Sequence, residues 1–125
     1  MITIDYTDRA PIYEQIVNSI EKLIALGVMK QDDKLPSVRA LGIELSINPN
    51  TVQKAYTMLE SRGSIYSVKG IGNFVSKNDL KTKKIEEILN DSTENLKKAI
   101  TYGLKEEELN IWFTKTKEAL YDNSN

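Results

Sequence analysis

The chain has 125 residues, with 17 basic and 18 acidic side chains and neither Cys nor His. This length fits one compact domain or a small domain with an appendage, and the missing residues exclude disulfides, thiol catalysis, the usual zinc sites and the commonest general acid–base side chain. The sequence has no apolar run near the ~18 residues of a membrane span and no signal peptide, so we expect a cytoplasmic protein without a membrane partner.

Two helices are predicted in the first third of the chain. Apolar residues at three-four spacing predict a helix over 11–26, with Pro11 in its first turn and Gly27 at its end. A second helix is predicted over 37–45, where Ser37 is a suitable N-cap.

The third predicted helix has the clearest signals. Asn48 is a strong N-cap and Pro49 suits the first helical position, so the helix should run over 49–61, and Gly63 should end it. The link at 46–47 is the tight turn that a helix-turn-helix motif requires. The inner face should carry Val52, Ala55, Tyr56 and Leu59. The outer face should carry Asn50, Thr51, Gln53, Lys54 and Thr57.

A β-hairpin is predicted after the third helix. The apolar period changes from three-four to two, which predicts strands over 64–68 and 73–76. The turn KGIG, 69–72, places Gly where a positive φ is needed. Three helices followed by a hairpin is the order of a winged helix-turn-helix.

Residues 80–121 are predicted to be helical, with a break at Gly103. Each of the two helices has an apolar stripe that it cannot bury alone, so it needs the other helix, the first domain or a partner chain. The last residues, 122–125, are expected to be frayed.

Charge is distributed unevenly along the chain. Residues 34–77 carry six basic and two acidic side chains, while the whole chain has a net charge of −1. Electrostatic attraction acts over about one Debye length, ~8 Å at physiological salt, so a local basic patch can attract nucleic acid. Chance alone could also produce an excess of this size.

Several motifs in this order resemble the GntR family of bacterial transcription regulators, most closely its YtrA-type subfamily. The motifs are PIYEQIVNSI, KLPSVRALG, NPNTVQKAY, LESRG and KGIGNFV, which lie within residues 10–76. The resemblance implies that a short C-terminal appendage mediates homodimerisation. Asp32 and Gly42 depart from the family pattern, and the wing is less basic than usual, which implies a shallower salt dependence of DNA binding.

We therefore predict an α+β, mostly α fold, with a winged helix-turn-helix DNA-binding domain over 1–78 and a two-helix dimerisation appendage over 79–125. The candidate dimerisation residues are Ile88, Leu96, Ile100, Leu109, Trp112 and Phe113. Trp112 and Phe113 could instead line a ligand pocket.

The candidate DNA-binding residues cluster at the third helix and the wing. The second helix of a helix-turn-helix places its N-terminal residues against base edges in the major groove. Asn and Gln suit adenine, and Thr suits a thymine methyl group or a phosphate. The resemblance points to Arg39 as a DNA contact. The full set is Ser37, Arg39, Asn48, Asn50, Thr51, Gln53, Lys54, Lys69 and Gly70.

Structural explanations remain open for these residues. Asn48 could be an N-cap alone, the outer face of the third helix could be merely solvated, and the KGIG segment could be only a hairpin turn. Arg39 could pair with Glu44 or Glu60. Lys34 is interpreted as a surface residue.

The predicted function is that of a homodimeric transcription regulator, a repressor that binds a palindromic operator in double-stranded DNA. By resemblance, its target genes encode an ABC-type transporter, and its small-molecule effector is unknown. No cofactor or metal is expected. An enzyme is excluded because the sequence has no His, no Cys, no Gly-rich phosphate loop and no paired carboxylates on a recognisable scaffold. The alternative is a winged-helix module that binds protein, which would need aromatic or Met anchors on the outer face of 48–57.

Overall fold

The computed structural model describes residues 2–122, which form five helices and one two-stranded sheet. Their bounds are α1 (Ile12–Ala25), α2 (Val38–Leu45), α3 (Pro49–Ser61), β1 (Ile65–Val68), β2 (Gly72–Val75), α4 (Leu80–Thr101) and α5 (Glu106–Asp122). The order of elements is the predicted one. Asp122 ends α5 in helical conformation, and the other three residues of the segment expected to be frayed lie outside the described residues.

Local capping determines where α2 and α3 begin. The Ser37 hydroxyl accepts a hydrogen bond from the Ala40 amide at 3.0 Å, and the Asn48 side-chain oxygen accepts one from the Asn50 amide at 2.8 Å. Each cap satisfies a backbone N–H that has no partner within its helix. Pro49 is the first residue of α3, so both predicted helix starts are confirmed.

The turn between α2 and α3 explains why Gly occupies position 42. Ser46 adopts a left-handed φ of 55°, and the Ile47 amide donates to the Gly42 carbonyl at 2.8 Å. A Cβ atom at position 42 would lie 2.9 Å from the Ile47 carbonyl oxygen, closer than real Cβ contacts occur. The departure of Gly42 from the family pattern therefore allows the two helices to approach closely.

One hydrophobic core lies between α1, α2, α3 and the hairpin. All four residues predicted for the inner face of α3 are buried in it. The Tyr56 hydroxyl donates to the Pro36 carbonyl at 2.7 Å, so its polar atom is satisfied. Burial, with a smaller contribution from the charge of Glu44, raises the pKa of the Tyr56 phenol. The core residues are Ile16, Val17, Ile20, Ile24, Leu35, Leu41, Val52, Ala55, Tyr56, Leu59, Ile65 and Val75.

The hairpin is antiparallel, with Ile65 opposite Val75 and Val68 opposite Gly72. Its second strand begins one residue earlier than predicted, because Gly72 still pairs across the ladder. A short stretch before α2 also joins this sheet, since Lys34 forms a β-bridge with Phe74. This bridge was not predicted, because one paired residue produces no alternating pattern.

Asp32, the other departure from the family pattern, also has a left-handed backbone, with φ at 68°. Its amide donates to the Val75 carbonyl at 2.8 Å, and its carboxylate accepts from the Tyr66 hydroxyl at 2.8 Å. Asp is among the residues that tolerate this conformation better than most. These hydrogen bonds hold the turn without glycine.

The chain forms two compact units that divide within α4, between Lys84 and Ile85. The first unit holds the core described above, and Leu80 at the start of α4 packs against it. The second unit consists of the rest of α4 and α5, joined by the predicted break at Gly103, where φ is 100°. No described residue of α4 or α5 is buried. Within residues 2–122, no helix is long and apolar enough to span a membrane.

Candidate nucleic-acid interface

The outer face of α3 is polar and exposed. Asn50, Gln53 and Lys54 are exposed, Thr51 is half-buried, and the inner face anchors the helix in the core. The structure therefore brings together four of the predicted DNA-binding residues on one surface. Because α3 packs directly on α1 and α2, its position is set by the same core that folds the unit.

The start of α3 is capped by Asn48 and also offers groups that can bind an anion. The Asn48 side-chain oxygen is committed to the N-cap, but within residues 2–122 its amide nitrogen has no hydrogen-bond partner. The helix N-terminus adds partial positive charge and unpaired N–H groups, which favour a phosphate. Ser37 caps α2 in the same way. Both residues are thus N-caps whatever else they contact.

Gln53 is oriented by a neighbour on the same helix. Its side-chain nitrogen donates to the Thr57 hydroxyl at 3.2 Å, one helical turn further on. One N–H and the side-chain oxygen stay unpaired within the described part of the chain. That donor–acceptor pair is what a bidentate contact with adenine requires.

Lys54 contacts an aromatic ring on another helix. Its ammonium nitrogen lies 4.0 Å from the centre of the Tyr13 ring, which belongs to α1. An ammonium this close to an aromatic face is attracted by the ring's electrons. Tyr13 was not among the predicted site residues, because its helix is separated from α3 by 23 residues of sequence.

Arg39 is exposed in the first turn of α2. Neither Glu44 nor Glu60 pairs with it: among residues 2–122, Arg39 makes no ion pair or hydrogen bond. Glu60 instead accepts a hydrogen bond from the Ser67 hydroxyl at 2.9 Å. The guanidinium is therefore free to contact a ligand.

The wing presents Lys69 at its tip, and the side chain of Lys34 runs alongside its second strand. Lys69 and Gly70 are both exposed, and Gly70 has the predicted positive φ, 76°. The side chain of Lys34 runs past Gly72, where a Cβ would lie 2.9 Å from the Lys34 Cε atom. Lys34 is exposed, as its interpretation as a surface residue requires, but its place beside the wing was not predicted. Its β-bridge to Phe74 places it there.

A buried carboxylate secures the far end of α3. Glu21 is 2% exposed and accepts hydrogen bonds from Arg62 at 2.9 Å and the Ser64 hydroxyl at 2.7 Å, and its carboxylate pairs with the Lys84 ammonium at 2.9 Å. Burial alone would raise the pKa of the Glu21 carboxyl, but these hydrogen bonds and the two positive charges outweigh burial and hold the pKa below its ordinary value. Glu21 was not singled out, although it follows Val17 by four residues on the apolar stripe of α1.

The predicted dimerisation residues fall into three places. Leu96, Trp112 and Phe113 line an open apolar groove of about 620 Å³ between α4 and α5. Ile100 and Leu109 line a smaller groove of about 270 Å³. Ile88 is 62% exposed and lines neither groove. Within residues 2–122, no group of three or more Asp or Glu side chains is placed to hold a metal ion.

Three helices share one core, the third of them has an exposed polar face, and a two-stranded wing adjoins it. These features define a winged helix-turn-helix protein. Comparison with known proteins supports the same class. The profile of the bacterial regulatory proteins of the gntR family matches residues 12–75. The HTH-type transcriptional repressor YtrA of Bacillus subtilis (strain 168) is 42% identical over 116 residues, which are 90% of this chain and 88% of that protein.

Two solved structures extend the likeness. A transcriptional regulator from Oenococcus oeni superposes with a TM-score of 0.77 at 31% identity, over 93% of this chain and 98% of that one. AraR(DBD) in complex with operator ORE1 superposes with a TM-score of 0.53 at 30% identity, over 61% of this chain and 93% of that one.

The chain belongs to the GntR family of bacterial transcription regulators. The predicted family and the predicted winged helix-turn-helix fold are thereby confirmed. The chain is a DNA-binding regulator of transcription and not an enzyme, as predicted.

Proposed function

We propose that this chain is a homodimeric repressor that binds a palindromic operator in double-stranded DNA. The observation that carries the proposal is the outer face of α3, which is exposed, polar and held rigidly by a buried inner face. A recognition helix needs these properties, because base edges in the major groove are read by polar side chains on a fixed scaffold.

Each candidate residue has a proposed role. Gln53 and Asn50 contact base edges, and Thr51 contacts a thymine methyl group or a phosphate. The remaining residues position the protein on the DNA backbone, which fixes register without reading sequence. They are Arg39, Lys54 and Lys69 as cations, Ser37 and Asn48 at helix N-termini, and Gly70 at the wing tip.

Residues 79–125 are proposed to form the dimerisation appendage of a DNA-binding domain over 1–78. The proposal is supported by the apolar side chains that α4 and α5 leave exposed, among them Trp112 at 51% and Phe113 at 56%. Large aromatic residues in such a surface are typical of interface hot spots. A two-fold dimer presents two copies of α3, so its operator should be palindromic.

The competing hypothesis, a winged-helix module that binds protein, is disfavoured by the same helix face. Within residues 48–57 the one aromatic residue is Tyr56, which is 1% exposed. A protein interface would need anchors that project outwards. The expectation that the target genes encode a transporter rests on the family resemblance alone and stays a prediction, as does the cytoplasmic location.

Selection of binding sites from random double-stranded DNA tests this function. The wild-type protein should enrich a palindrome with half-sites about one helical turn apart or a multiple of it. Gln53→Ala should lower affinity for that site by ~1–3 kcal/mol and relax the preference at one base of each half-site. Asn90→Ala, an exposed amide on α4, is the matched control and should bind as wild type. Enrichment of no sequence would contradict the proposal.

A further inference from the structure

We propose that Tyr13 is a positioning residue of the DNA-binding surface: its ring holds the Lys54 ammonium where that group meets a DNA phosphate. This inference rests on the proposed function, since it assigns Lys54 to the DNA backbone. The observation behind it is the distance of 4.0 Å between the Lys54 nitrogen and the centre of the Tyr13 ring.

The ring is a firm support because it is partly built into the core. Tyr13 is half-buried and packs against the core cluster, while α1 packs along α3. Two aromatic χ angles leave a packed tyrosine with little freedom, whereas a free lysine side chain samples many rotamers. A fixed ring therefore limits where the ammonium can lie.

The contact between Lys54 and Tyr13 leaves the charge of the ammonium available to DNA. Within the described residues Lys54 forms no ion pair with a carboxylate, so the group that holds it carries no net charge. A carboxylate would neutralise the ammonium and repel a phosphate. An aromatic face attracts the cation through its quadrupole and leaves the full positive charge available to DNA.

If the Tyr13 ring orders the Lys54 side chain before DNA binds, the protein should bind its operator more tightly. Ordering a long side chain at an interface has an entropic cost, and a side chain that is already ordered avoids most of it. Removing the ring should therefore weaken operator binding about threefold to tenfold, although the ring itself touches no DNA in this arrangement.

Four variants test the inference on the intact chain: Tyr13→Leu, Tyr13→Phe, Lys54→Ala and the Tyr13→Leu/Lys54→Ala double variant. Operator affinity is measured by fluorescence anisotropy at several salt concentrations. Tyr13→Phe keeps the ring and should bind within about twofold of wild type. Tyr13→Leu should lose affinity and show a shallower salt dependence, approaching the loss of ~0.9 in slope expected for one phosphate contact. The double variant should bind no more weakly than Lys54→Ala, because both changes remove the same contact.

Other outcomes would overturn the inference. One is that Tyr13→Leu binds the operator as tightly as the wild type while Lys54→Ala binds it more weakly. Additive losses in the double variant would also overturn it. If Tyr13→Phe binds as weakly as Tyr13→Leu, the hydroxyl contacts DNA directly and the positioning role is wrong.

Two controls complete the design. Tyr6→Leu removes a 71% exposed aromatic that forms no cation–π contact within residues 2–122, and should leave affinity unchanged. If Tyr13→Leu fails to fold, ring-fluorinated tyrosine at position 13 weakens the quadrupole at nearly constant shape. Graded loss of affinity then supports the inference, and unchanged affinity overturns it. Failure of the wild type to bind any operator would instead contradict the proposed function itself.

Discussion

The two compact units differ in how far they bury their apolar side chains. The first unit, up to Lys84, buries twelve apolar residues in one core, and its exposed helix face is polar. The second unit, from Ile85, has no buried residue within its described part, and most of its large apolar side chains are exposed. The first unit therefore has the features of an independently stable domain. The second exposes a large apolar surface, which is what the dimerisation appendage proposed above requires.

The largest expected effect tests whether the first unit is self-sufficient. Leu59 is fully buried on the inner face of α3, so Leu59→Ala should destabilise this unit by about 2–5 kcal/mol through lost contacts and a cavity. Chemical denaturation followed by circular dichroism measures this, with exposed Thr57→Ala on the same helix as the control. The loss should be the same at every protein concentration. A loss that disappears at high concentration would mean that the core depends on association.

The second unit should behave in the opposite way. Trp112→Ala removes a large aromatic side chain from the groove and should weaken self-association by about 2 kcal/mol or more. Analytical ultracentrifugation across a concentration series measures the dimer dissociation constant. Tyr102→Ala, which removes a 93% exposed aromatic side chain directly after α4, should change it little. A wild-type chain that stays monomeric at all concentrations would mean that the exposed apolar surface of the second unit does not mediate self-association.

The parts of the fold that could be predicted from the sequence are those set by neighbouring residues. The bounds of α3 match the prediction because an N-cap, a proline and a glycine act locally and agree with the apolar period. The polar outer face followed from the same periodicity. Patterns of this kind depend on neighbours within a few residues.

The features that were missed depend on distant neighbours instead. Glu21 meets Arg62 and Ser64 across 41 and 43 residues of sequence, and Lys34 meets Phe74 across the sheet. Periodicity carries no information about which distant side chain faces a given position. The open stripes of α4 and α5 could be predicted, but a single sequence contains no direct signal for what covers them.

Glu21 and its partners Arg62, Ser64 and Lys84 should make the stability of the first unit depend on acid. Because the folded-state pKa of Glu21 lies below its ordinary value of 4.5, its carboxylate stabilises the fold above that pH. This stability is lost as the pH falls from about 4.5 through the lower folded-state pKa. Glu21→Gln should therefore cost about 1–3 kcal/mol at neutral pH and flatten the decline in stability below pH 4.5. Denaturant titrations between pH 2 and pH 7 measure both effects.

Glu94→Gln is the matched control for this prediction. Glu94 pairs with Lys97 at the same 2.9 Å, but both side chains are 66% exposed and lie in the second unit. Exposed pairs contribute at most about 1 kcal/mol, since solvent screens them. If Glu94→Gln changed stability as much as Glu21→Gln does, the contribution of an ion pair to stability would depend on its distance and not on its burial.

The smallest expected effect tests whether DNA contact is confined to the first unit. Lys69 at the wing tip should contribute one phosphate contact. Lys69→Ala should therefore weaken binding to all DNA sequences alike and reduce the slope of log affinity against log salt concentration by ~0.9. Lys98→Ala removes an exposed lysine from the second unit and should leave the slope unchanged. Equal effects of the two changes would mean that DNA senses the charge of the whole chain, which has a net value of −1. A difference confined to Lys69 would mean that the local excess of cations over residues 34–77 attracts the DNA, because screening over ~8 Å isolates one patch from another.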